Sequence, residues 1–212
     1  DIPKIKKPII WTLHDMWAFC GAEHYAKDNR WREGYYLDNR PKYESGLDLN
    51  RWTWLRKKKY WKNKIKIITP SKWLAKCVNE SSLMKNWDVT VVPYPINSDF
   101  WRPFKKEVVR ERLNLPKNIN LILFGALEGD EDPRKGYDLL LNALNNLKNN
   151  LRIKNLELVV FGEKKKKTKP NLNFPIHYMG KINNDENIRD LYNAADVMVV
   201  PSRQDNLPNM AI

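Results

Sequence analysis

The sequence predicts an α/β protein with parallel sheets, because short apolar strands alternate with amphipathic helices. The alternation is most regular in the second half of the 212 residues, where strand, helix, strand, short strand, helix and strand form a doubly wound pattern. All nine tryptophans lie between Trp11 and Trp101. Three prolines and a polar turn in residues 91–106 predict a linker near this change in composition. We therefore predict two α/β domains, residues 1–101 and 102–212.

Strand-like runs in the first half occupy residues 9–13, 65–71 and 89–95. Ser71 is placed to cap a helix that begins directly after the second run. About 50 residues without clean periodicity separate the first two runs, which indicates a long insertion rather than a short crossover. In the second half we expect strands at 120–126, 156–162, 176–182 and 197–202, and helices at 136–151 and 185–196.

Composition excludes several classes of protein. The hydrophobic content of 42% excludes a disordered chain, and no apolar run approaches the roughly 20 residues that span a bilayer. Two cysteines, Cys20 and Cys77, form no disulfide framework or metal-ligand spacing, which favours a reducing cytoplasm. We therefore expect a cytoplasmic protein, with a peripheral location on the inner membrane face as the alternative.

The net charge of +13 is spread over both halves of the chain. The clusters at 56–59 and 164–167 are compact, and such runs most often form solvated faces or loops. Two alternatives stay open, a surface for anionic lipid and a surface for nucleic acid. We prefer the solvated surface, keep peripheral contact with an anionic membrane as the first alternative, and do not expect nucleic acid to be the partner.

Two segments of the second half carry residues suited to an anionic ligand. The strand at 197–202 ends in a polar turn and Pro208 suits the first turn of a helix, so unpaired N–H groups are expected there. Arg134 and Lys135 precede the helix at 136–151, and a guanidinium beside an ammonium suits a diphosphate. The alternative is that both are ordinary surface residues near a helix start.

The end of the chain, PSRQDNLPNMAI, resembles the signature turn and helix of retaining glycosyltransferases of family 4. The resemblance implies the GT-B fold, with a nucleotide-sugar donor between two Rossmann-like domains. Family members share an acidic pair at i and i+8; the first position matches Asp205, and the second would be residue 213. The resemblance therefore implies a fragment truncated at both ends, which we expect to be inactive as given.

The resemblance also implies roles for individual residues of the second half. Arg134 and Lys135 would bind the donor diphosphate, and Ala126 stands where many relatives have Arg. Asp205 would be a catalytic residue that binds a donor hydroxyl and does not act as the nucleophile. The remaining donor-binding residues implied in this way are Gly125, Gly162, Lys181, Ile182, Asn206 and Leu207.

A histidine at the end of the first strand, His14, is placed in a loop where it could exchange protons near neutral pH. The stretch WTLHDMWAFCGAEHY resembles the family's N-terminal domain, in which a His contacts the transferred sugar. This implies a catalytic role for His14 and acceptor-side roles for Asp15 and His24. Many relatives are rich in cysteine after this point, whereas Cys20 stands alone here, so we predict no metal site. Aromatic residues that could stack on a sugar, but more often pack in a core, are Trp31, Tyr35 and Tyr36.

The activity implied is transfer of a hexosyl group from a nucleoside-diphosphate sugar to a saccharide or lipid-linked acceptor, with retention and without cofactor or metal. The runner-up hypotheses are a non-catalytic nucleotide-sugar-binding protein of the same fold and a basic nucleic-acid-binding α/β module.

Overall fold

The computed structural model describes residues 5–125, 132–147, 155–162, 172 and 174–212. The chain divides into two compact units, Asp1–Pro95 with Asn206–Pro208 and Ile96–Asp205 with Asn209–Ile212. The division follows residue 95, whereas the sequence placed a domain boundary after residue 101. Each unit contains its own parallel sheet. The predicted α/β fold class is therefore confirmed.

The first unit contains a three-stranded parallel sheet in the order β1-β2-β3. Its elements are β1 (Ile10–Thr12), α1 (Arg30–Glu33), α2 (Leu49–Tyr60), β2 (Lys66–Thr69), α3 (Lys72–Glu80) and β3 (Val89–Val91). In the register, Trp11 lies opposite Ile67 and Ile68 lies opposite Thr90. The third strand is shorter than predicted, and Pro93 and Pro95 have no N–H group with which to extend its ladder.

The helix predicted after Ser71 is present as α3. The Ser71 side chain accepts a hydrogen bond from the Leu74 N–H, at 3.1 Å, and so satisfies one of the unpaired donors of the first turn. The sequence analysis did not assign α2, whose N-cap Asp48 accepts from the Arg51 N–H. The side chains that α2 buries are Trp54 and Lys57, so no aliphatic stripe marks its inner face.

The second unit contains a four-stranded sheet in the order β6-β5-β4-β7, and every strand pair is parallel. Its elements are α4 (Lys106–Arg112), β4 (Asn120–Gly125), α5 (Tyr137–Leu147), β5 (Leu156–Phe161), β6 (Ile176–Gly180), α6 (Asp185–Ala194) and β7 (Val197–Met198). Helix α4 was not predicted. The predicted helix at 136–151 begins and continues as expected to residue 147, beyond which residues 148–151 lie outside the described part of the chain.

Alternate residues of β4 supply the two cores of the second unit. Ile122 and Phe124 pack with Leu140 and Leu144 of α5, which lie on the helical face that the sequence predicted. The neighbouring residues Leu121 and Leu123 pack on the other side, with α4 and α6, through a set that includes Val109, Val159 and Leu191. Helices therefore cover both faces of the sheet, which explains the almost continuous apolar run of this strand.

Asp196 joins four parts of the second unit at the start of β7. Its carboxylate accepts hydrogen bonds from the Leu121 N–H and the Arg110 guanidinium, each at 2.7 Å, and from the Lys106 ammonium at 2.5 Å. Arg110 is itself buried and also donates to the carbonyl of Ala194 at 2.8 Å. Burial raises the pKa of Asp196, but these three donors outweigh burial and hold the pKa at about 2.

The C-terminal segment differs from the prediction in one respect. Pro208 was expected in the first turn of a helix, whereas the structure has a single 3₁₀ turn at Asn209–Ala211. No helix in the described ranges is long and apolar enough to cross a lipid bilayer.

We expect Asp196→Asn to lower the free energy of unfolding by about 1 kcal/mol at pH 7, because the carboxylate pKa falls from 3.8 to about 2 on folding and solvent screens part of that gain at this exposed residue. This contribution is fully present above about pH 4 and is lost as the pH falls toward 2, so the wild-type advantage should shrink over that interval. Denaturant unfolding at several pH values measures the difference.

The matched control for this experiment is Asp99→Asn, because Asp99 is an exposed carboxylate of the same unit. It should change the stability at pH 7 by less than about 0.5 kcal/mol. A loss in Asp196→Asn that is the same at pH 2 and pH 7 would show that the carboxylate charge is not what stabilises this junction.

Candidate functional site

The turn after β7 is held against the 3₁₀ turn Pro133–Lys135 by Arg203. The Arg203 N–H donates to the carbonyl of Arg134 at 2.8 Å, and its guanidinium donates to the carbonyl of Pro133 at 2.6 Å. The same guanidinium forms two bonds with the Asp138 carboxylate, at 2.8 and 2.5 Å. These contacts hold together two segments that are about 70 residues apart in sequence.

Local sequence determines the shape of the 3₁₀ turn. Asp132 caps it by accepting from the Arg134 N–H at 2.9 Å, and Pro133 occupies its first turn. Gly136 ends it with φ 70°, in the left-handed region that favours glycine. A Cβ at residue 136 would lie 2.1 Å from the carbonyl oxygen of Pro201, so the close approach of the two segments requires glycine here.

Arg134 and Lys135 meet Asp205 at the carboxyl edge of the second sheet. The Lys135 ammonium lies 2.8 Å from Oδ2 of Asp205, and the Arg134 guanidinium lies 3.3 Å from the same oxygen. Arg134 also donates to the carbonyl of Gln204 at 3.1 Å and contacts Asp132 at 3.0 Å. All three predicted residues are thus in one cluster, in which two cations face two half-buried carboxylates.

Such a cluster can exchange partners. The carboxylate of Asp205 could be replaced by an oxyanion of a ligand, and it could in turn accept a hydrogen bond from a ligand hydroxyl. Among the described residues of this cluster the two cations and two carboxylates balance, so a ligand would have to supply its own negative charge to compete with Asp205.

The other predicted donor-site residues of this unit lie at the ends of neighbouring strands. Gly125 ends β4, and a Cβ there would lie 2.2 Å from the Phe161 ring, so this glycine permits packing. The Gly162 N–H after β5 donates to the carbonyl of Gly180 at 2.8 Å. Lys181 and Ile182 are the next two residues after Gly180. Strands β5 and β6 lie on one side of β4, whereas β7, which leads to Asp205, lies on the other.

Asn206 and Leu207 group with the first unit. Asn206 is buried, and its amide nitrogen donates to the carbonyl of His14 at 3.0 Å. Its amide oxygen accepts from the hydroxyl of Ser71 at 2.6 Å. The described contacts of the Asn206 side chain are therefore with the backbone of the predicted histidine and with the cap of α3.

In the first unit, the loop after β1 contains the predicted residues His14, Asp15 and His24. Nδ1 of His14 lies 2.6 Å from the hydroxyl of Tyr94, and the two rings stack with their centroids 5.7 Å apart. Asp15 lies 2.6 Å from Nδ1 of His24 and also accepts from the Trp17 N–H at 2.8 Å. Tyr94 was not among the predicted site residues, because the prolines on either side of it indicated only a linker.

Lys57 of α2 also holds this loop in place, and the exposed fraction of Lys57 is only 5%. Its ammonium donates to the carbonyls of Trp17, Cys20 and Gly21, the last two at 3.1 and 2.6 Å. Burial lowers the pKa of Lys57 to about 8. The run at 56–59 is therefore not uniformly a solvated face, and its second member is a buried structural cation.

The insertion packs around its own aromatic residues. Trp31 and Tyr35 are buried in the core of the first unit, whereas Tyr36 is half exposed. The Tyr35 hydroxyl donates to Glu23, and buried Arg30 contacts Asp28 at 3.0 Å and Glu44 at 2.5 Å. Within the described residues, no three side chains of the His, Cys, Asp or Glu types are grouped to hold a metal ion, and both cysteines are free and buried.

Comparison with known proteins relates the second unit to a family. Residues 118–212 match the family model described as "Glycosyl transferases group 1". A search of curated protein sequences finds no match to the chain.

Solved structures relate the fold of the chain to two enzymes. The sucrose-phosphate synthase of Thermosynechococcus elongatus superposes with a TM-score of 0.66 at 19% identity, covering 98% of this chain and 48% of that one. WaaG, a glycosyltransferase involved in lipopolysaccharide biosynthesis, superposes with a TM-score of 0.59 at 20% identity, covering 94% of this chain and 52% of that one. The chain thus spans about half the length of these structures. Its fold is the GT-B fold of these glycosyltransferases, and residues 118–212 match the glycosyl transferases group 1 family.

Proposed function

We propose that the protein is a glycosyltransferase that moves a hexosyl group from a nucleoside-diphosphate sugar to a hydroxyl of a saccharide or lipid-linked acceptor, with retention. The observation that carries the proposal is the convergence of Arg134, Lys135 and Asp205 at one sheet edge. The family match of residues 118–212 and the GT-B fold support it. Because the chain spans about half of its structural neighbours, the proposed activity is that of the whole protein.

In this proposal the donor diphosphate takes the place of the Asp205 carboxylate beside the two cations. Arg134 offers two parallel N–H donors and Lys135 a point charge, which together neutralise the charge that develops on the leaving group. These cations do what a divalent metal does in other transferases, so we propose that none is needed. Asp205, released from the cations, accepts a hydrogen bond from a hydroxyl of the sugar.

We assign His14, Asp15 and His24 to the sugar and acceptor side, in the first unit. Tyr94 engages Nδ1 of His14, so we assign Nε2 to the sugar contact. The bond between Asp15 and His24 holds the loop in one conformation by joining its two ends. Gly125, Gly162, Lys181, Ile182, Asn206 and Leu207 stay predicted donor contacts.

We expect Arg134→Ala and Lys135→Ala each to weaken the binding of a nucleoside diphosphate by about tenfold or more, because each removes a charge-assisted hydrogen bond to phosphate. Titration calorimetry with GDP, UDP and ADP measures the loss and identifies the preferred base. Lys105→Ala removes an exposed cation of the same unit and is the matched control. Wild-type affinity in both site variants, with an unchanged thermal midpoint, would refute the diphosphate assignment.

Asp205→Asn separates the two roles proposed for this carboxylate. We expect the affinity for a nucleoside diphosphate to stay constant or to rise, because the variant no longer competes for Arg134 and Lys135. The ratio of the affinity for the nucleotide sugar to the affinity for the nucleoside diphosphate should fall about fivefold or more, because the sugar loses a hydrogen bond to a charged acceptor. An equal loss for both ligands would contradict the proposed exchange of partners.

A further inference from the structure

The outward side of helix α2 combines exposed apolar and basic side chains. At 100° per residue, Trp52, Leu55, Arg56 and Lys59 lie opposite the buried pair that faces the core. Trp52 is 56% exposed, and Leu49 and Leu47 at the start of the helix are 59% and 86% exposed. We call these six residues the α2 outer face. Apolar exposure of this extent within one short segment is a feature that the rest of the fold does not explain.

The segment that contains this face is basic. Residues 49–66 contain eight Lys and Arg residues and no Asp or Glu; of the eight, Lys57 is buried and Lys66 pairs with Asp88 at 2.9 Å. The carboxylates of Glu44 and Asp48, which precede the helix, form ion pairs with the buried guanidinium of Arg30, at nitrogen–oxygen distances of 2.5 and 3.7 Å. They therefore do not neutralise the cations that α2 presents outward.

The apolar and basic groups of the face are interleaved. The guanidinium of Arg56 lies 4.7 Å from the centre of the Trp52 ring, so a cation and a large aromatic side chain share one patch of surface. A surface that binds nucleic acid has use for cations and aromatic rings, but not for exposed leucines beside them. A bilayer interface uses all three, because Trp and Leu enter the headgroup region while Lys and Arg attract anionic lipid.

We propose that the α2 outer face docks the protein on a membrane surface that contains anionic lipid. Arg56 and Lys59 bind the lipid phosphates, and Trp52, Leu55 and Leu49 lie at the level of the headgroups. The basis is the exposure and charge of α2 alone. Docking is thus independent of the proposed glycosyl transfer and is measured without nucleotide.

The experiment is co-sedimentation of the chain with vesicles of phosphatidylcholine containing 30% phosphatidylglycerol, and with vesicles of phosphatidylcholine alone. We expect binding to the anionic vesicles that weakens between 0.05 and 0.5 M NaCl, since salt screens exposed charges. Arg56→Gln with Lys59→Gln should lower the partition coefficient about 25-fold, at about fivefold per cation. Trp52→Ser with Leu55→Ser should lower it about tenfold or more by removing the apolar anchors.

The matched control is Lys85→Gln with Lys105→Gln, which removes the same charge from exposed positions elsewhere and should bind within about twofold of wild type. The substituted positions are all on the surface, and the thermal midpoint checks that each variant is folded. Equal binding to both kinds of vesicle, or equal loss in the control pair, would overturn the proposal. Absence of vesicle binding, together with binding to a DNA or RNA duplex that the Arg56 and Lys59 variant loses, would assign the face to nucleic acid instead.

Discussion

The carboxylate of Asp196 is the constraint on which the second unit depends. It joins α4 to the first residues of β4 and β7, and so fixes where β7 begins against the central strand. Val197 and Met198 pair for only two positions, so the strand has little ladder of its own. The turn that follows leads to Arg203 and Asp205, and its position is therefore set mainly by this buried junction and by the Arg203 clamp on Asp138.

The first unit uses a related device with the opposite charge. Lys57 gives its ammonium to three backbone carbonyls in the loop that follows β1, where a single turn leaves carbonyls without helical partners. Burying a cation whose hydrogen bonds go to neutral carbonyls is costly, and burial is the main cause of the lowered pKa of Lys57. In both units a loop with candidate functional residues is held by one charged side chain near one end of a short strand.

Elements with a regular apolar pattern could be predicted from the sequence, and elements built on polar contacts could not. Strands β4 and β5 and the Leu140 and Leu144 face of α5 follow directly from periodicity. Helix α2 was not predicted, because its inner face contains Lys57 and therefore shows no apolar periodicity. Arg134 and Lys135 could be named as candidates from their chemistry and Asp205 from the resemblance, but their ion pairs join residues about 70 positions apart. The partners His14–Tyr94 and Arg110–Asp196 are also long-range, and no local spacing encodes them.

Gly136 has a consequence for how this protein can vary over evolution. Backbone meets backbone at this position, since an added methyl group would lie 2.1 Å from the Pro201 carbonyl and the residue already has a positive φ. Any residue other than glycine would place a Cβ against this carbonyl, so no single substitution at position 136 keeps the backbone geometry. We therefore expect the glycine to persist when the ligand changes. A descendant that loses Arg134 and Lys135 would still need Gly136, because this residue serves the backbone geometry and does not bind the ligand.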